Sequence, residues 1–479
     1  MSERAETAAS LADPGSFEAQ DLDLRTSDPL HFADYATALE QAREHSGADE
    51  SVTAGPATIG GIPVELATFE FGFLGGSMGE VAGERLSRAL ERAAERRVPF
   101  VLRTSTGGAR MQEGMRSLIQ MPKMVAARLQ LARTHQPYIA ILGHPTTGGV
   151  LASLGATADV TIAEADATVG FAGPRVAERF TGTPLPPGSH SANHAYTHGL
   201  VDELVSPADA HAYIATALKM LAPDAPDDVD EPATVDDGAE RDAWDIVEAV
   251  RNTTRPLAVD LIRAGAELFV ELRGDRQGSD DPAVLCGLAR IMGRRAMVIA
   301  MDRNHDPGPD GYRKARRCVD IAGRLDIPVV TLVDMRGADP SAESEASGLA
   351  WAIAALIETM LQTPASVISI VTGEGGSGGA LAFATGDELL IFQDAIFSVI
   401  APEGAAEILW RDATMAPQAA RFLRLTATEL HDLGIADAVI RSPLNDETVR
   451  AVIALAIDRA RERTGDDRAA ARQQRWRRR

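Results

Sequence analysis

The sequence predicts an α/β protein made of two tandem domains of the same design. The chain has 479 residues, more than one hydrophobic core ordinarily organises. At about 100–200 residues per domain, this length suggests two or three domains. A proline-rich acidic stretch separates two halves in which the same order of segments recurs. Each half alternates β-branched apolar runs with longer helical patterns, which is typical of α/β domains.

The acidic stretch at 222–245 is the clearest boundary. Its prolines alternate with self-repelling carboxylates, and such a composition buries too little apolar surface to form a core. We therefore expect the following division of the chain: an N-terminal extension at 1–54, a first domain at 55–221, the linker at 222–245, a second domain at 246–445 and a basic helical tail at 446–479.

The spacing of glycines makes the repeat quantitative. In the first half a β-branched run ends at Gly107, and a Gly-Gly turn follows with Gly149, 42 residues further on. In the second half a similar run ends at Gly337, and Gly379 lies 42 residues beyond it. Chance readily supplies Gly-Gly pairs but not this shared order, so the two halves are expected to be homologous repeats.

The glycine turns are candidate sites of chemistry. The segments 104–114 and 145–150 each read as a strand end, a glycine turn and a helix start. Glycine permits positive φ and close approach of a substrate, and the free N–H groups of a first helical turn donate to anions. Two such donors would stabilise an enolate or tetrahedral oxyanion without a side-chain base. The alternative interpretation of either turn is tight helix–strand packing.

Composition excludes several classes of protein. A net charge of −22 repels polyanions and argues against general nucleic-acid binding. No apolar run approaches the roughly 18 residues of a membrane helix, and the acidic start of the chain does not resemble a signal peptide, so we expect a cytoplasmic protein. With Cys286 and Cys318 as its cysteines, the chain has neither a disulfide framework nor a four-cysteine zinc site, and both thiols are expected to be buried and reduced.

Longer strings identify a family resemblance. In the first half, FEFGFLGGSMG at 69–79, GGARMQE at 107–113, IAE at 162–164 and GFAGPRV at 170–176 resemble the carboxyltransferase β-subunit of bacterial acetyl-CoA carboxylase. In the second half, GYRKA at 311–315, GEGGSGGA at 373–380 and SVIAPEG at 398–404 resemble the α-subunit of the same enzyme. The resemblance covers about 55–205 and 250–442, in order and over long strings.

The resemblance implies a fold and an active site. Both halves would have the crotonase-type (ClpP/crotonase) spiral of ββα units, and the site would lie between the first domain of one protomer and the second domain of another, so at least a homodimer is expected. The glycines implied to hold the acyl-CoA thioester carbonyl are Gly107, Gly108, Gly148 and Gly149. The residues implied to hold the ureido carbonyl of biotin are Gly337, Ala338, Gly378, Gly379 and Ala380.

The same resemblance implies a reaction and its partners. A carboxyl group would pass from carboxybiotin on a separate carrier protein to the α-carbon of acetyl-CoA or another short acyl-CoA, giving malonyl-CoA for fatty acid biosynthesis in the first case. Biotin and acyl-CoA are the expected cofactor and substrate, and no metal is expected. Since no segment resembles an ATP-binding carboxylase or a biotinyl domain, biotin carboxylase and the biotin carboxyl carrier protein are expected as partners, with no membrane or nucleic acid.

The chain departs from the family pattern in three places. The β-subunit's four-cysteine zinc ribbon is missing, because no cysteine precedes Cys286. The α-subunit string DTPGAYP reads DMRGADP at 334–340, and the basic loop before Gly311 is shortened to 303–307. These changes keep open a biotin-independent malonyl-thioester decarboxylase or transcarboxylase on the same fold. A non-catalytic scaffold that binds partners through the basic tail is the third hypothesis.

Charged residues near the motifs have two interpretations each. Arg110 and Arg175 either contact CoA phosphates or fix loops by pairing with carboxylates. Tyr312, Arg313 and Lys314 open a helix, where they either approach a phosphate or form a surface salt bridge. All five are candidate cofactor-binding residues.

Three further features are expected to be structural. The spacing of His190, His194 and His198 places them on one face of a solvent-exposed helix, without the support that a metal site requires. The string MPKM at 121–124 resembles a biotin-attachment sequence but is expected inside a helix. The basic tail is expected to be a solvated helical extension.

Overall fold

The computed structural model describes residues 8, 10–233, 241–462 and 467–478. Parts of the expected extension (1–7 and 9), linker (234–240) and tail (463–466 and 479) lie outside the described residues. The chain divides into two units, Met1–Ala222 and Pro223–Arg479. Each is an α/β unit, as the sequence predicts.

The first unit begins its sheet with a hairpin and continues with strands that alternate with helices. Its strands are β1 (Val52–Ile59), β2 (Ile62–Phe69), β3 (Phe100–Thr106), β4 (Tyr138–Thr147), β5 (Val160–Glu164), β6 (Val169–Gly170) and β7 (Glu203–Val205). Its α-helices are α1 (Tyr35–Ser46), α2 (Glu80–Arg96), α3 (Met115–Leu118), α4 (Gln120–Ala132), α5 (Gly148–Ser153), α6 (Pro174–Thr181), α7 (Ala192–Thr197) and α8 (Ala210–Leu221). Short 3-10 turns lie at Leu74–Gly76, Met111–Glu113 and Gly155–Thr157.

Most strands of this first sheet are parallel. The order is β1-β2-β3-β4-β5-β7, with β6 also on β4; β1 and β2 are antiparallel and the other pairs are parallel. β3 and β5 are buried almost throughout, as expected for strands covered on both faces. The helices α2 and α4 pack on the sheet and bury a continuous apolar core that includes Leu86, Leu90 and Met124.

The second unit repeats this plan. Its strands are β8 (Leu268–Glu271), β9 (Val284–Ile291), β10 (Arg294–Met301), β11 (Val329–Met335), β12 (Val367–Gly376), β13 (Glu388–Phe392), β14 (Ile396–Ser398) and β15 (Ala438–Ile440). Its α-helices are α9 (Ala243–Val250), α10 (Ala258–Gly265), α11 (Pro309–Leu325), α12 (Ala342–Ala346), α13 (Leu349–Gln362), α14 (Ser377–Ala384), α15 (Pro402–Trp410), α16 (Ala416–Leu423), α17 (Ala427–Asp432), α18 (Asp446–Glu462) and α19 (Arg468–Arg478). A 3-10 turn lies at Ala413–Met415.

The seven strands of the first sheet each have a counterpart in the second, which adds β8 at one edge. The second has the order β15-β13-β12-β11-β10-β9-β8, with β14 on β12, so the antiparallel pair β9–β10 corresponds to β1–β2. The helices α2 and α11 each have 17 residues, and β4 and β12 each have 10. The β3–β4 register shifts between Thr104 and Thr106, and the β11–β12 register shifts between Val333 and Met335. The prediction of two tandem α/β repeats is confirmed.

The N-terminal extension packs on the first unit. Gln20 forms a β-bridge with Ala54 of β1. The Asp13 carboxylate accepts hydrogen bonds from the N–H groups of Gly60 and Gly61, at 2.9 and 2.8 Å, in the β1–β2 turn. Both glycines have positive φ, so the extension closes a turn that favours glycine.

The basic tail differs from the expectation of a solvated extension. Arg472 of α19 is fully buried and forms a bidentate ion pair with Asp387, at 2.8 Å to each carboxylate oxygen. It also donates to the carbonyl oxygens of Met360, Thr363 and Ala365. These carbonyls lie at and beyond the end of α13, where helix carbonyls lack partners. The tail is therefore anchored by an arginine that meets unpaired acceptors.

Among the helices of the described residues, each is too short or too polar to cross a bilayer.

Candidate active site

In the first unit the two glycine turns meet at the carboxyl ends of β3 and β4. Gly108 and Gly148 have φ of 109° and 70°, conformations that favour glycine. A Cβ atom on Gly148 would lie 2.9 Å from the Cα of Gly108, and one on Gly108 would lie 3.9 Å from the backbone nitrogen of Gly149. The structure thus brings the two glycine turns together, and the close contact between their backbones leaves no room for a side chain at Gly148.

The N–H groups of these glycines are not equivalent. The Gly107 N–H donates to the carbonyl of Gly75 at 3.0 Å, and that of Gly148 donates to the carbonyl of Phe171 at 2.8 Å. These two groups are engaged within the fold, which corrects their expected role as direct donors to the thioester oxygen. The Gly108 N–H also has a partner within the fold, Oγ1 of Thr106 at 3.0 Å. Gly149 differs, because it lies in the first turn of α5, where N–H groups lack helical partners.

In the second unit the corresponding turns also meet. A Cβ atom on Gly379 would lie 3.0 Å from the backbone nitrogen of Ala338 and 2.7 Å from the Tyr312 hydroxyl oxygen. Gly378, Gly379 and Ala380 lie in the first turn of α14, whose N–H groups are available as donors. Ala338 lies three residues beyond the end of β11, so the turn after β11 meets the first turn of α14. Ala338 and Gly379 correspond in the repeat to Gly108 and Gly149.

A cavity of about 510 Å³ lies beside this second site and is lined by Met335 and Arg336. Further charged residues line it, namely Arg251, Arg255, Arg303, Asp334, Glu374 and Glu403. Sequence reasoning missed this set. Four of its members could have been found. Glu374 and Glu403 lie within the family strings 373–380 and 398–404, and Asp334 and Arg303 lie within the altered segments 334–340 and 303–307.

Most charges of the cavity are paired. Arg251 donates to Glu374 at 2.9 Å and to Glu403 at 2.6 Å. Burial alone would lower the pKa of Arg251, but hydrogen bonds to these carboxylates hold the pKa well above its usual value. Arg255 and Arg303 pair with Asp334, at 2.8 and 3.4 Å.

Arg336 differs from the other arginines of the cavity. It is exposed, and within the described part of the chain its guanidinium has neither an ion pair nor a hydrogen bond. It directly precedes Gly337. The cavity therefore presents one uncompensated positive charge next to the backbone donors.

The expected phosphate contact of Arg110 is wrong. Its side chain is fully buried and paired with the equally buried carboxylates of Glu50 and Glu113. The alternative interpretation, that this arginine fixes a loop, describes its contacts. Arg175 is exposed on α6, close in sequence to Phe171, and stays a predicted contact of CoA.

The expected contacts of the helix start at 312–314 are also wrong in part. Tyr312 and Lys314 are buried; the Lys314 ammonium pairs with Asp280 at 2.7 Å and donates to the carbonyl of Asp281 at 3.2 Å. Because both side chains are buried, neither can contact a phosphate group of a ligand at the surface. Arg313 pairs with Asp275 at 2.8 Å, which agrees with its interpretation as a salt bridge.

The histidines do not share one helix, contrary to the prediction. His190 precedes α7 and has a φ of 64°, His194 lies within the helix, and His198 is its C-cap. The rings of His194 and His198 stack with centroids 4.0 Å apart, and burial together with the two neighbouring histidines lowers the pKa of His194. The string at 121–124 lies within α4 as predicted.

Comparisons with known proteins agree with this geometry. Residues 238–478 match the family described as acetyl co-enzyme A carboxylase carboxyltransferase-like. The chain is 43% identical to the acetyl-coenzyme A carboxylase carboxyl transferase subunits beta/alpha of Salinispora tropica, over 91% of this chain and 81% of that protein. It is 37% identical to the probable biotin-dependent acyl-coenzyme A carboxylase beta3 subunit of Mycobacterium bovis, over 90% and 87% of the two chains.

Solved structures share the fold. The crystal structure of transcarboxylase 12S with methylmalonyl-coenzyme A and methylmalonic acid bound matches with a TM-score of 0.78 at 23% identity, over 97% of this chain and 91% of that chain. A single-chain, multi-domain long-chain acyl-CoA carboxylase matches with a TM-score of 0.73 at 19% identity, over 94% of this chain and 46% of that chain.

The chain has two homologous α/β units, each with two converging glycine turns. Together with these relatives, this architecture defines the class of protein as a carboxyltransferase of crotonase fold. The chain belongs to the acetyl-CoA carboxylase carboxyltransferase family, with a β-subunit-like and an α-subunit-like half in one polypeptide.

Proposed function

We propose that the chain transfers a carboxyl group between biotin on a carrier protein and the α-carbon of a short acyl-CoA, with acetyl-CoA as the substrate and malonyl-CoA as the product. The observation that carries this proposal is the pair of matching backbone sites, one per unit, in which a strand-end turn meets the first turn of a helix. Two sites of the same design suit two carbonyl groups that become negatively charged during one reaction.

The first unit would hold the acyl-CoA thioester. The Gly149 N–H at the start of α5, with Gly108 beside it, would stabilise the enolate oxygen that forms when the α-carbon loses its proton. Gly107 and Gly148 would shape the turn through their own hydrogen bonds. Arg175 on the exposed helix α6 would contact the CoA phosphates.

The second unit would hold biotin. A cavity of about 510 Å³ lies in the usual range of ligand sites, about 300–1,000 Å³, and its wall contains Met335 and Arg336, which directly precede Gly337 and Ala338 in the chain. When bound, carboxylated biotin would supply the carboxyl group and, through its ureido nitrogen, an acceptor for the α-proton. The N–H groups of Ala338 and Gly379 would stabilise the negative ureido oxygen.

Arg336 would contact the carboxylate that is transferred. Arg336 lines the cavity two residues before Ala338 and has no competing acid among the described residues, unlike Arg251, Arg255 and Arg303. Charge-assisted hydrogen bonds to carboxylates are stronger than neutral ones. The departure from the family string at 334–340 therefore supplies a positive charge where the reaction handles a negative one.

The proposal includes partners and assembly. Biotin carboxylase and the biotin carboxyl carrier protein would supply the carboxylated biotin, in the cytoplasm. At least a homodimer would form, with the acyl-CoA side from one protomer and the biotin side from another. The family resemblance supports both statements.

The reverse reaction tests the function. Malonyl-CoA is supplied with and without free biotin, and acetyl-CoA formation is measured for the wild type, Arg336→Met and the surface control Arg411→Met. We expect turnover only with biotin, loss of about tenfold or more for Arg336→Met, as for a truncated charge-assisted contact, and no effect of the control. Equal turnover without biotin would favour the decarboxylase, and no turnover with intact CoA binding would favour the scaffold.

A further inference from the structure

A buried ionic cluster lies behind the acyl-CoA turn and has no part in the chemistry proposed above. It consists of Arg110, Glu50, Glu113, Tyr35 and Thr26. The side chains of Arg110, Glu50 and Glu113 have no exposed surface. The Arg110 guanidinium donates to Glu113 at 3.0 Å and makes two contacts with Glu50, of which the longer is 3.3 Å.

Neutral donors complete the cluster. The hydroxyl groups of Tyr35 and Thr26 donate to one oxygen of Glu113, at 2.6 and 3.0 Å, and the Glu80 N–H donates to the other at 2.5 Å. Burial alone would raise the pKa of Glu113, but the Tyr35 hydroxyl and the Arg110 charge lower the pKa below its usual value. Glu113 is therefore ionised, and a buried carboxylate with these partners tolerates little displacement.

The cluster is joined directly to the glycine turn. Arg110 N–H donates to the carbonyl of Met78 at 2.9 Å, and Met78 N–H donates to the carbonyl of Gly108 at 2.9 Å. The Arg110 guanidinium also donates to the carbonyl of Ser77 at 2.7 Å. The segment 75–78 is thus bonded to Arg110 on one side and to the turn on the other, so the guanidinium and Gly108 are joined through one short piece of backbone.

The cluster also explains a glycine of the sequence string at 69–79. A Cβ atom on Gly79 would lie 2.6 Å from Nη1 of Arg110 and 2.7 Å from Oε2 of Glu113. No side chain fits between these charged groups. The glycine at position 79 of this string is therefore explained by the packing of the cluster.

Three members of the cluster come from the N-terminal extension, since Thr26, Tyr35 and Glu50 all precede β1. We propose that this cluster positions the acyl-CoA turn, and that the N-terminal segment 26–50 is required for the function of that site although it does not contact the substrate. The proposal rests on the function proposed for the turn. Its members act through Gly108, so they are positioning residues.

The test compares two tyrosines of the same unit. Tyr35→Phe removes the hydroxyl that donates to Glu113, while the matched control Tyr138→Phe removes an equally buried hydroxyl that donates to the carbonyl of Leu154 at 3.1 Å. Amide hydrogen exchange at 107–110 is measured in the full chain without any ligand, and kcat and KM are measured in the biotin-dependent reverse assay.

We expect Tyr35→Phe to speed exchange at 107–110 and to lower kcat about tenfold with KM changed less than about twofold, because displacing the turn weakens stabilisation of the transition state more than binding of the ground state. Tyr138→Phe should change neither. Unchanged exchange in Tyr35→Phe would overturn the proposal even if the enzyme is active. If exchange is faster in Tyr35→Phe but the wild type shows no biotin-dependent turnover, the proposed function is refuted and the coupling between the cluster and the turn stands. If Tyr35→Phe does not fold, Thr26→Val provides the same comparison.

Discussion

Tyr312 shows how a residue can be placed correctly in a site and given the wrong role. The sequence string at 311–315 marked it as a ligand contact, yet its ring is buried against Phe383 with centroids 5.0 Å apart. Within the described residues its hydroxyl has no hydrogen-bond partner. Burial raises the pKa of this hydroxyl far above its usual value, so it stays protonated. Its position against Gly379 explains why that residue has no side chain.

Tyr312→Phe is expected to leave the free energy of unfolding unchanged or to raise it by about 1 kcal/mol, because it removes a buried donor without a partner. The control Tyr138→Phe removes a satisfied hydroxyl and should lower it by about 1 kcal/mol. Denaturant titration measures both. A marked loss of biotin-dependent turnover in Tyr312→Phe would show instead that the hydroxyl serves the ligand.

At the scale of elements, we propose that the two strand-turn-helix units divide the reaction between them. A Cβ on Gly379 would press on the Ala338 nitrogen, whereas one on Gly149 would lie 2.8 Å from the Met121 sulfur. The first contact is with backbone at the biotin side. The second is with a flexible side chain behind the acyl-CoA side, so a larger residue is needed to disturb it.

Gly379→Ala should therefore spare binding of CoA esters and reduce biotin-dependent turnover by about a hundredfold or more, the usual effect of losing an oxyanion donor. Gly149→Val should impair the acyl-CoA side instead. Calorimetric titration with a CoA ester and the reverse assay separate the two effects, after circular dichroism has established folding. Equal loss of CoA affinity in both variants would show that the glycines serve packing.

The tail helix α19 is an anchored element. Arg472→Ala removes a fully buried guanidinium from Asp387 and from three carbonyls, and breaking a buried pair costs about 3–5 kcal/mol. We expect a clearly lower midpoint of thermal unfolding, with turnover at low temperature preserved. Arg478→Ala, at an exposed position of the same helix, is the control. Equal midpoints in the two variants would contradict the anchoring role.

At the scale of the molecule, the repeated order of strands and the spacing of 42 residues between turns were readable from the sequence, because strand and helix periods are local properties. The burial of charged side chains could not be predicted from the sequence. Nothing in the string at 107–113 shows that Arg110 meets Glu50, which lies 60 residues earlier. The ion pairs of the cavity and the docking of Arg472 likewise depend on contacts between residues distant in sequence. A single sequence does not reveal such contacts.

The whole molecule is expected to be at least a homodimer, because a reaction site shared between protomers requires two copies. Light scattering at micromolar concentration, combined with the reverse assay on the same sample, measures this. A fully active monomer would contradict the prediction.

The matching register shifts, at 104–106 in one sheet and 333–335 in the other, bear on the history of the chain. Irregularities of strand pairing are conserved within families, so their recurrence at the same strand pair indicates that the two halves descend from one duplicated ancestral gene. The ancestor would have carried two copies of one oxyanion site when it self-associated. Specialisation then needed few changes, since the backbone donors were inherited twice and the side chains around them were free to diverge.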